Sequence, residues 1–214
     1  MLAALISSMP AAGMFAGSGV TVRIATLRPA RKEDCARIAL LFRMASEGVS
    51  DYVWQQMAPE YPGLSPLEIG QKRYEREATP FSYQNCVVAE YKGEVIGMRH
   101  AFVTEARSGN GPGEVDPVLR PYAELELPGS LYVAGLAVMP AFRGQGLGSK
   151  LLGAARRKAR ALGLDQLSLL CLEQNEGARR LYERSGFRVI DRRRVVPHPL
   201  IRPTGDVLLM AARA

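Results

Sequence analysis

The 22 residues from Leu131 to Leu152, LYVAGLAVMPAFRGQGLGSKLL, constrain the chain more than any other stretch. An apolar run ends at Pro140, three glycines follow at alternate positions (Gly144, Gly146, Gly148), and an amphipathic run then begins. The pattern predicts a strand, a tight turn and a helix, and therefore an α/β fold. The first N–H groups of such a helix have no intrahelical partner and can hold an anion. Glycine suits that task, because a side chain would keep phosphate oxygens from the amides and because tight turns of this kind need positive φ. The same glycines also serve a plain tight connection, so both readings stand on this segment alone.

The spacing decides which nucleotide is in question. Glycines at every second position do not spell G-x-G-x-x-G, and Lys150 follows Ser149 instead of preceding a serine, so the dinucleotide and P-loop patterns are both absent. A second segment runs from Gln166 through Leu-Ser-Leu-Leu-Cys-Leu-Glu-Gln to Asn175, and then through Tyr182 to Gly186-Phe187. Asn175 and Tyr182 are two helical turns apart and share a face. Asn175 also reads as a helix N-cap, and Tyr182 as an ordinary half-buried aromatic.

Arg143-x-x-Gly146-x-Gly148 directly after an apolar strand resembles the acyl-coenzyme A pyrophosphate loop of the GNAT N-acetyltransferases, and the Gln166–Phe187 segment is similar to that family's next strand and helix. Leu27-Arg-Pro-Ala-Arg-Lys-Glu-Asp34 looks like its opening. The resemblance covers about Thr26 to Ala211 and is specific between Leu131 and Phe187. It implies a mixed, mostly antiparallel sheet with a splayed central strand pair and helices on both faces. It further implies acetyl-CoA as co-substrate, its pyrophosphate held at Arg143, Gly144, Gln145, Gly146, Leu147, Gly148 and Ser149. The pantetheine arm would lie along Leu136, Ala137 and Val138, with Asn175 and Tyr182 nearby. The implied reaction is direct attack of a primary amine on the thioester, with the Val138 amide as oxyanion donor and Tyr182 as general acid. Glu126 is the first choice for the base, with Glu124 and Glu173 as further candidates. A non-catalytic acyl-CoA sensor of the same fold is the alternative.

At 214 residues the chain is expected to form one domain from residue 21 to 214, preceded by a flexible extension over 1–20. With 47% hydrophobic and 23% charged residues it has the composition of an ordinary globular protein. Cys35, Cys86 and Cys171 are widely spaced and lie in or beside apolar runs, so buried thiols are expected. His100 and His198 are the only histidines, and no Cys/His cluster exists, so no metal is expected. The net charge of +7 raises nucleic acid as a partner, yet Arg156, Arg157, Lys158 and Arg160 fall on the polar face of an amphipathic helix. No nucleic-acid partner is expected. Residues 1–22 carry no charged side chain but are broken by Pro10, Gly13, Gly17 and Gly19. They read as an extension, or as a start placed too far upstream, ahead of a signal peptide; no membrane span is expected and the location is expected to be cytoplasmic.

Along the chain, Thr21–Arg28 reads as a strand and Arg31–Ala45 as a helix, followed by helical stretches at 51–57 and 66–77. Cys86–Tyr91 and Val95–Val103 form a hairpin across Lys92-Gly93, and Phe187–Val196 and Asp206–Ala211 are closing strands. The segment 104–130 is rich in Gly and Pro and carries Glu105, Glu114, Asp116, Glu124 and Glu126, which points to a cationic amine acceptor. The acceptor pocket is expected from residues 46–54, this loop and residues 197–203. Homodimers that pair through the closing strands are common among the proteins this chain resembles.

Overall fold

The computed structural model describes residues 25–105, 116–202 and 204–214. The expected N-terminal extension, the first residues of the expected opening strand, and Glu114 lie outside the described residues.

Seven strands form one sheet in the order β1-β2-β3-β4-β5-β7-β6. They are β1 (Thr26–Pro29), β2 (Cys86–Tyr91), β3 (Glu94–Val103), β4 (Leu131–Val138), β5 (Gln166–Leu172), β6 (Arg188–Arg194) and β7 (Asp206–Arg213). Every neighbouring pair is antiparallel except β4 and β5. Lys92-Gly93 closes the β2–β3 hairpin where the sequence placed it. β7 inserts between β5 and β6, so the last two strands form a hairpin whose second arm pairs inward.

Helices α1 (Cys35–Ala45), α2 (Val49–Gln56) and α3 (Pro66–Glu75) cover one face of the sheet. Ile38, Leu41, Trp54, Ile69 and Tyr74 pack there on Val88, Met98 and Ala137. α3 starts cleanly because Ser65 accepts from the Glu68 amide while the Glu68 side chain accepts from the Ser65 amide, a capping box with Pro66 at the first helical position. Segment 104–130 is less irregular than its breakers imply, since a short helix α4 (Arg120–Ala123) forms within it. The opposite face carries α5 (Leu147–Ala161) and α6 (Glu176–Arg184). Leu152, Ala155 and Ala159 of α5 meet Val133, Leu167 and Leu169 of the sheet, while Leu147 and Leu151 meet Ala89 and Ile96. The three cysteines are buried free thiols. Among the described residues no helix is long and apolar enough to cross a membrane.

His100 lies in the aromatic core beneath α1 and α3. Its ring is fully buried, with Phe81 at 5.0 Å, Tyr74 at 5.4 Å and Phe42 at 6.0 Å between centroids. The Pro80 carbonyl lies 2.8 Å from Nε2 and the Tyr74 hydroxyl 3.1 Å from Nδ1, a pairing that suits a neutral ring donating from Nε2 and accepting at Nδ1. Burial pulls its pKa down to about 4, against an ordinary value of 6.5. The fold therefore favours the uncharged ring: its contribution is complete above pH 6.5 and is lost as the pH falls towards 4. The expected loss is on the order of 3 kcal/mol of unfolding free energy. Urea unfolding at pH 7 and pH 4.5 measures it, and His100→Gln should flatten the dependence. Equal pH slopes for both proteins would rule the histidine out as its source.

Candidate active site

β4 and β5 pair only over Leu131–Val133 and Leu167–Leu169, although β4 continues to Val138 and β5 to Leu172. The cause lies on the other edge of β4. Its pairing with β3 matches His100 with Gly135 and Ala101 with Val133, which leaves Ala134 as an extra residue. Such a bulge bends the strand and increases its twist, here turning β4 away from β5. Leu136, Ala137 and Val138 remain paired to β3 through Arg99, Met98 and Gly97. Their edge towards β5 has no strand partner, so the backbone groups on it are free of the sheet ladder and, apart from the Val138 carbonyl that Arg143 takes, available to a bound chain.

Ala134 and Leu170, at the parting, line a cleft of about 360 Å³. That is the size of a small-molecule site. α1 and α2, the start of α4, and the ends of β5 and α6 complete its wall.

The turn before α5 stands at the end of β4. Arg143 Nε donates to the Val138 carbonyl at 3.0 Å, tying the turn to the strand. Gly144 and Gly146 adopt φ of 74° and 79°. Gly146 is the N-cap of α5, and the first helical N–H with a partner is that of Lys150, which donates to the Gly146 carbonyl at 3.0 Å. The amides of Leu147, Gly148 and Ser149 are thus the orphan donors of a 15-residue helix. A Cβ on Gly148 would lie 2.8 Å from Leu181 Cδ2, so the glycine lets α6 approach the start of α5. The helix ends at Gly163, which takes φ of 69°.

Tyr182 lies on α6 and is 8% exposed, with its ring 5.9 Å from that of Phe187. Burial first, and then the neighbours Cys171, Tyr132 and Glu47, push its phenol well above the usual value, so it stays protonated throughout the neutral range. Asn175 does two things at once. Its Oδ1 accepts from the Ala178 amide at 3.0 Å, capping α6, and its Nδ2 donates to Glu47 Oε1. Burial pushes the Cys171 thiol, also in the cleft wall, up to about 12, which leaves it a protonated and poor nucleophile.

Glu47 is the functional candidate that the sequence did not single out. It follows the end of α1 with φ of 52°, and Gly48 follows with φ of 105°. A non-glycine residue held there costs about 1 kcal/mol or more, and such strain concentrates at functional sites. The bend is held from outside. The Arg202 amide donates to the Glu47 carbonyl at 3.3 Å, and a Cβ on Gly48 would sit 1.8 Å from the Leu200 carbonyl oxygen. Glu47 and Arg73 are the charged side chains among the described residues that line the cleft. The one available signal was a Glu-Gly pair interrupting two apolar helical stretches in a region already assigned to the acceptor.

The carboxylates chosen from the sequence stand elsewhere. Glu126 is exposed and outside the cleft lining, although its charge reaches Tyr132. Glu124 pairs with Arg193 at 3.1 Å. Glu173 lies 3.9 Å from Arg192, and its side chain is 40% exposed. Asp116 accepts from the Tyr52 hydroxyl at 2.6 Å and from the Val118 amide at 2.8 Å. Among the described residues of the acidic segment, Leu119 and Tyr122 reach the cleft, and both are uncharged. Of residues 197–203, Leu200 and Arg202 support the Glu47-Gly48 bend from behind, and none of those described lines the cleft. Among the described residues no group of three His, Cys, Asp or Glu could hold a metal ion.

A seven-stranded mixed sheet that parts at its one parallel pair, with a glycine turn and helix at the strand's end, defines an α/β fold with a cleft at the parting. The acetyltransferase (GNAT) family model matches residues 50–187, and the chain belongs to that family. An N-acetyltransferase from Staphylococcus aureus Mu50 superposes with a TM-score of 0.60 at 22% identity, over 88% of this chain and all of that one. An IAA acetyltransferase from Bacillus cereus gives 0.53 at 18%, over 89% of this chain and all of the other. The PaiA N-acetyltransferase from Thermoplasma acidophilum, solved in complex with coenzyme A, gives 0.53 at 14%, over 89% and 99%. At these identities the likeness concerns the fold. A search of curated proteins by sequence finds no match.

Proposed function

We propose that the protein transfers an acetyl group from acetyl-CoA to a primary amine by direct attack within a ternary complex. The observation that carries this reading is the convergence of Glu47, Asn175 and Tyr182 on the gap between β4 and β5. Acetyl-CoA supplies the activated acyl group. The residues present fit it: the α5 turn offers unpaired amides for the diphosphate, Gly144 and Gly146 face open space, and Leu136–Val138 offer an unpaired strand edge for the amide-bearing arm.

The protein's own groups then divide the proton work. An alkylammonium of pKa about 10.4 must lose a proton before it attacks, at a cost of about 4.6 kcal/mol at pH 7. Glu47, oriented by Asn175, takes that proton directly or through a water. Tyr182, held protonated by burial, gives its proton to the departing sulfur. The buried, protonated Cys171 speaks for direct transfer over a covalent acyl-cysteine. Glu47 takes the role of base ahead of the exposed Glu126 because a proton acceptor must reach the amine. Localisation in the cytoplasm, a single domain over 21–214, and homodimer formation through the closing strands belong to the same proposal.

Thiol release from acetyl-CoA over a panel of amines tests the reading against the non-catalytic sensor, which binds CoA with heat but releases no thiol. Gly146→Asp bears on the cofactor half. A carboxylate facing the diphosphate, on a residue held at φ of 79°, is expected to weaken CoA binding on the order of tenfold or more. Calorimetry measures this, and unaltered CoA binding in a folded variant would remove the α5 turn from the site.

A further inference from the structure

Arg73 is the second charged group of the cleft, and nothing in the proposed chemistry uses it. It lies on α3, its guanidinium carbon 4.1 Å from the centroid of the Phe81 ring. Its Nε is buried with no hydrogen-bond partner, and no carboxylate among the described residues forms an ion pair with it. Burial pulls its pKa down, and no acid is among the groups that offset this. A guanidinium with its Nε buried and unpaired and no anion beside it is an unfavourable arrangement, whereas a bound carboxylate would accept two parallel N–H bonds from its fork. The same cleft is lined by the apolar Phe42, Val53, Trp54 and Phe81, the last of them under the Arg73 guanidinium. The cleft thus offers a carboxylate, a cation and an aromatic wall. The described acids of segment 104–130, which would favour a cationic acceptor, are committed to Arg193 and Tyr52 or lie outside the cleft.

The geometry points to an acceptor that carries its own carboxylate: we infer that Arg73 binds the carboxylate of an amino acid with an apolar or aromatic side chain, whose amine faces Glu47. This rests on the acyl-transfer reading, but the anion site can be read separately. Two measurements keep them apart. The first is kcat/KM for matched pairs, phenylalanine with phenethylamine and leucine with isoamylamine. The second is calorimetry on the CoA-saturated protein with N-acetylphenylalanine and N-acetylphenethylamine, which needs no turnover.

The carboxylate-bearing member of each pair is expected to be favoured about 10- to 100-fold, as fits a charge-assisted bidentate contact. In Arg73→Gln that ratio should fall towards one, and in Arg73→Lys it should recover in part, since the charge returns without the fork. Turnover with no preference for the carboxylate overturns the inference and leaves acyl transfer standing. Tight, Arg73-dependent binding of the N-acetyl acid without any thiol release does the reverse. Parallel losses for both members of a pair in Arg73→Gln would make the residue a structural support of Phe81. An equal weakening of CoA itself would assign it to the cofactor. Either result overturns the proposal.

Discussion

Tyr182→Phe is expected to lower kcat by about two to four orders of magnitude while Kd for CoA changes little, because a general acid acts on the departing group and not on the bound ground state. Removing one oxygen leaves the ring against Phe187 and the α6 packing in place. The thiolate must then take its proton from water in a site built to exclude it. Burial keeps the wild-type phenol protonated past neutral pH, so Tyr182 imposes no alkaline fall in rate near pH 8. Steady-state kinetics from pH 6 to 9 beside CoA calorimetry make the measurement. Near-normal kcat in the variant would show that the sulfur is protonated by another group.

Glu47→Gln is expected to cost about 10²- to 10⁴-fold in kcat/KM at pH 7, and the deficit should shrink as the pH approaches the amine's own value near 10. Glutamine keeps the length of the side chain and can still accept from Asn175, so the loss reports the missing proton acceptor and not a collapsed loop. Asn175→Ala should act in the same direction, with an added cost in stability of about 1 kcal/mol from the lost cap on α6. A loss in Glu126→Gln as large as that in Glu47→Gln would move the base to the position chosen from sequence. Full activity of Glu47→Gln at pH 7 would rule out a protein base at that site.

The contrast between these two residues shows what kind of information a sequence carries. Tyr182 was legible because it lies in a segment where helical spacing and Asn175 place it on a defined face. The α5 turn was legible because Gly144, Gly146 and Gly148 stand in a row with a strand before and a helix after, and all the geometry involved is local. Glu47 was not legible. It sits at a break between two helices, its carboxylate meets an asparagine 128 positions away, and its backbone is held by Leu200 and Arg202. Glu124 and Glu126 looked like candidates from their nearness in sequence to β4, but that chain segment turns outward, and Glu124 ends on Arg193.

Alternation and breakers along the chain determined the strands, most helix bounds, the hairpin at Lys92-Gly93 and the helix that starts after Gly146, because each depends on contacts within a few residues. The splayed strand pair was implied by the family resemblance, but the bulge at Ala134 that parts β4 from β5, the insertion of β7 beside β5, and the arrival of Glu47 and Arg73 in the cleft of Asn175 and Tyr182 came from the folded chain alone. Their cause is long-range. Register slips, crossovers and side chains from separate elements take their positions only when the sheet and both helical layers have packed.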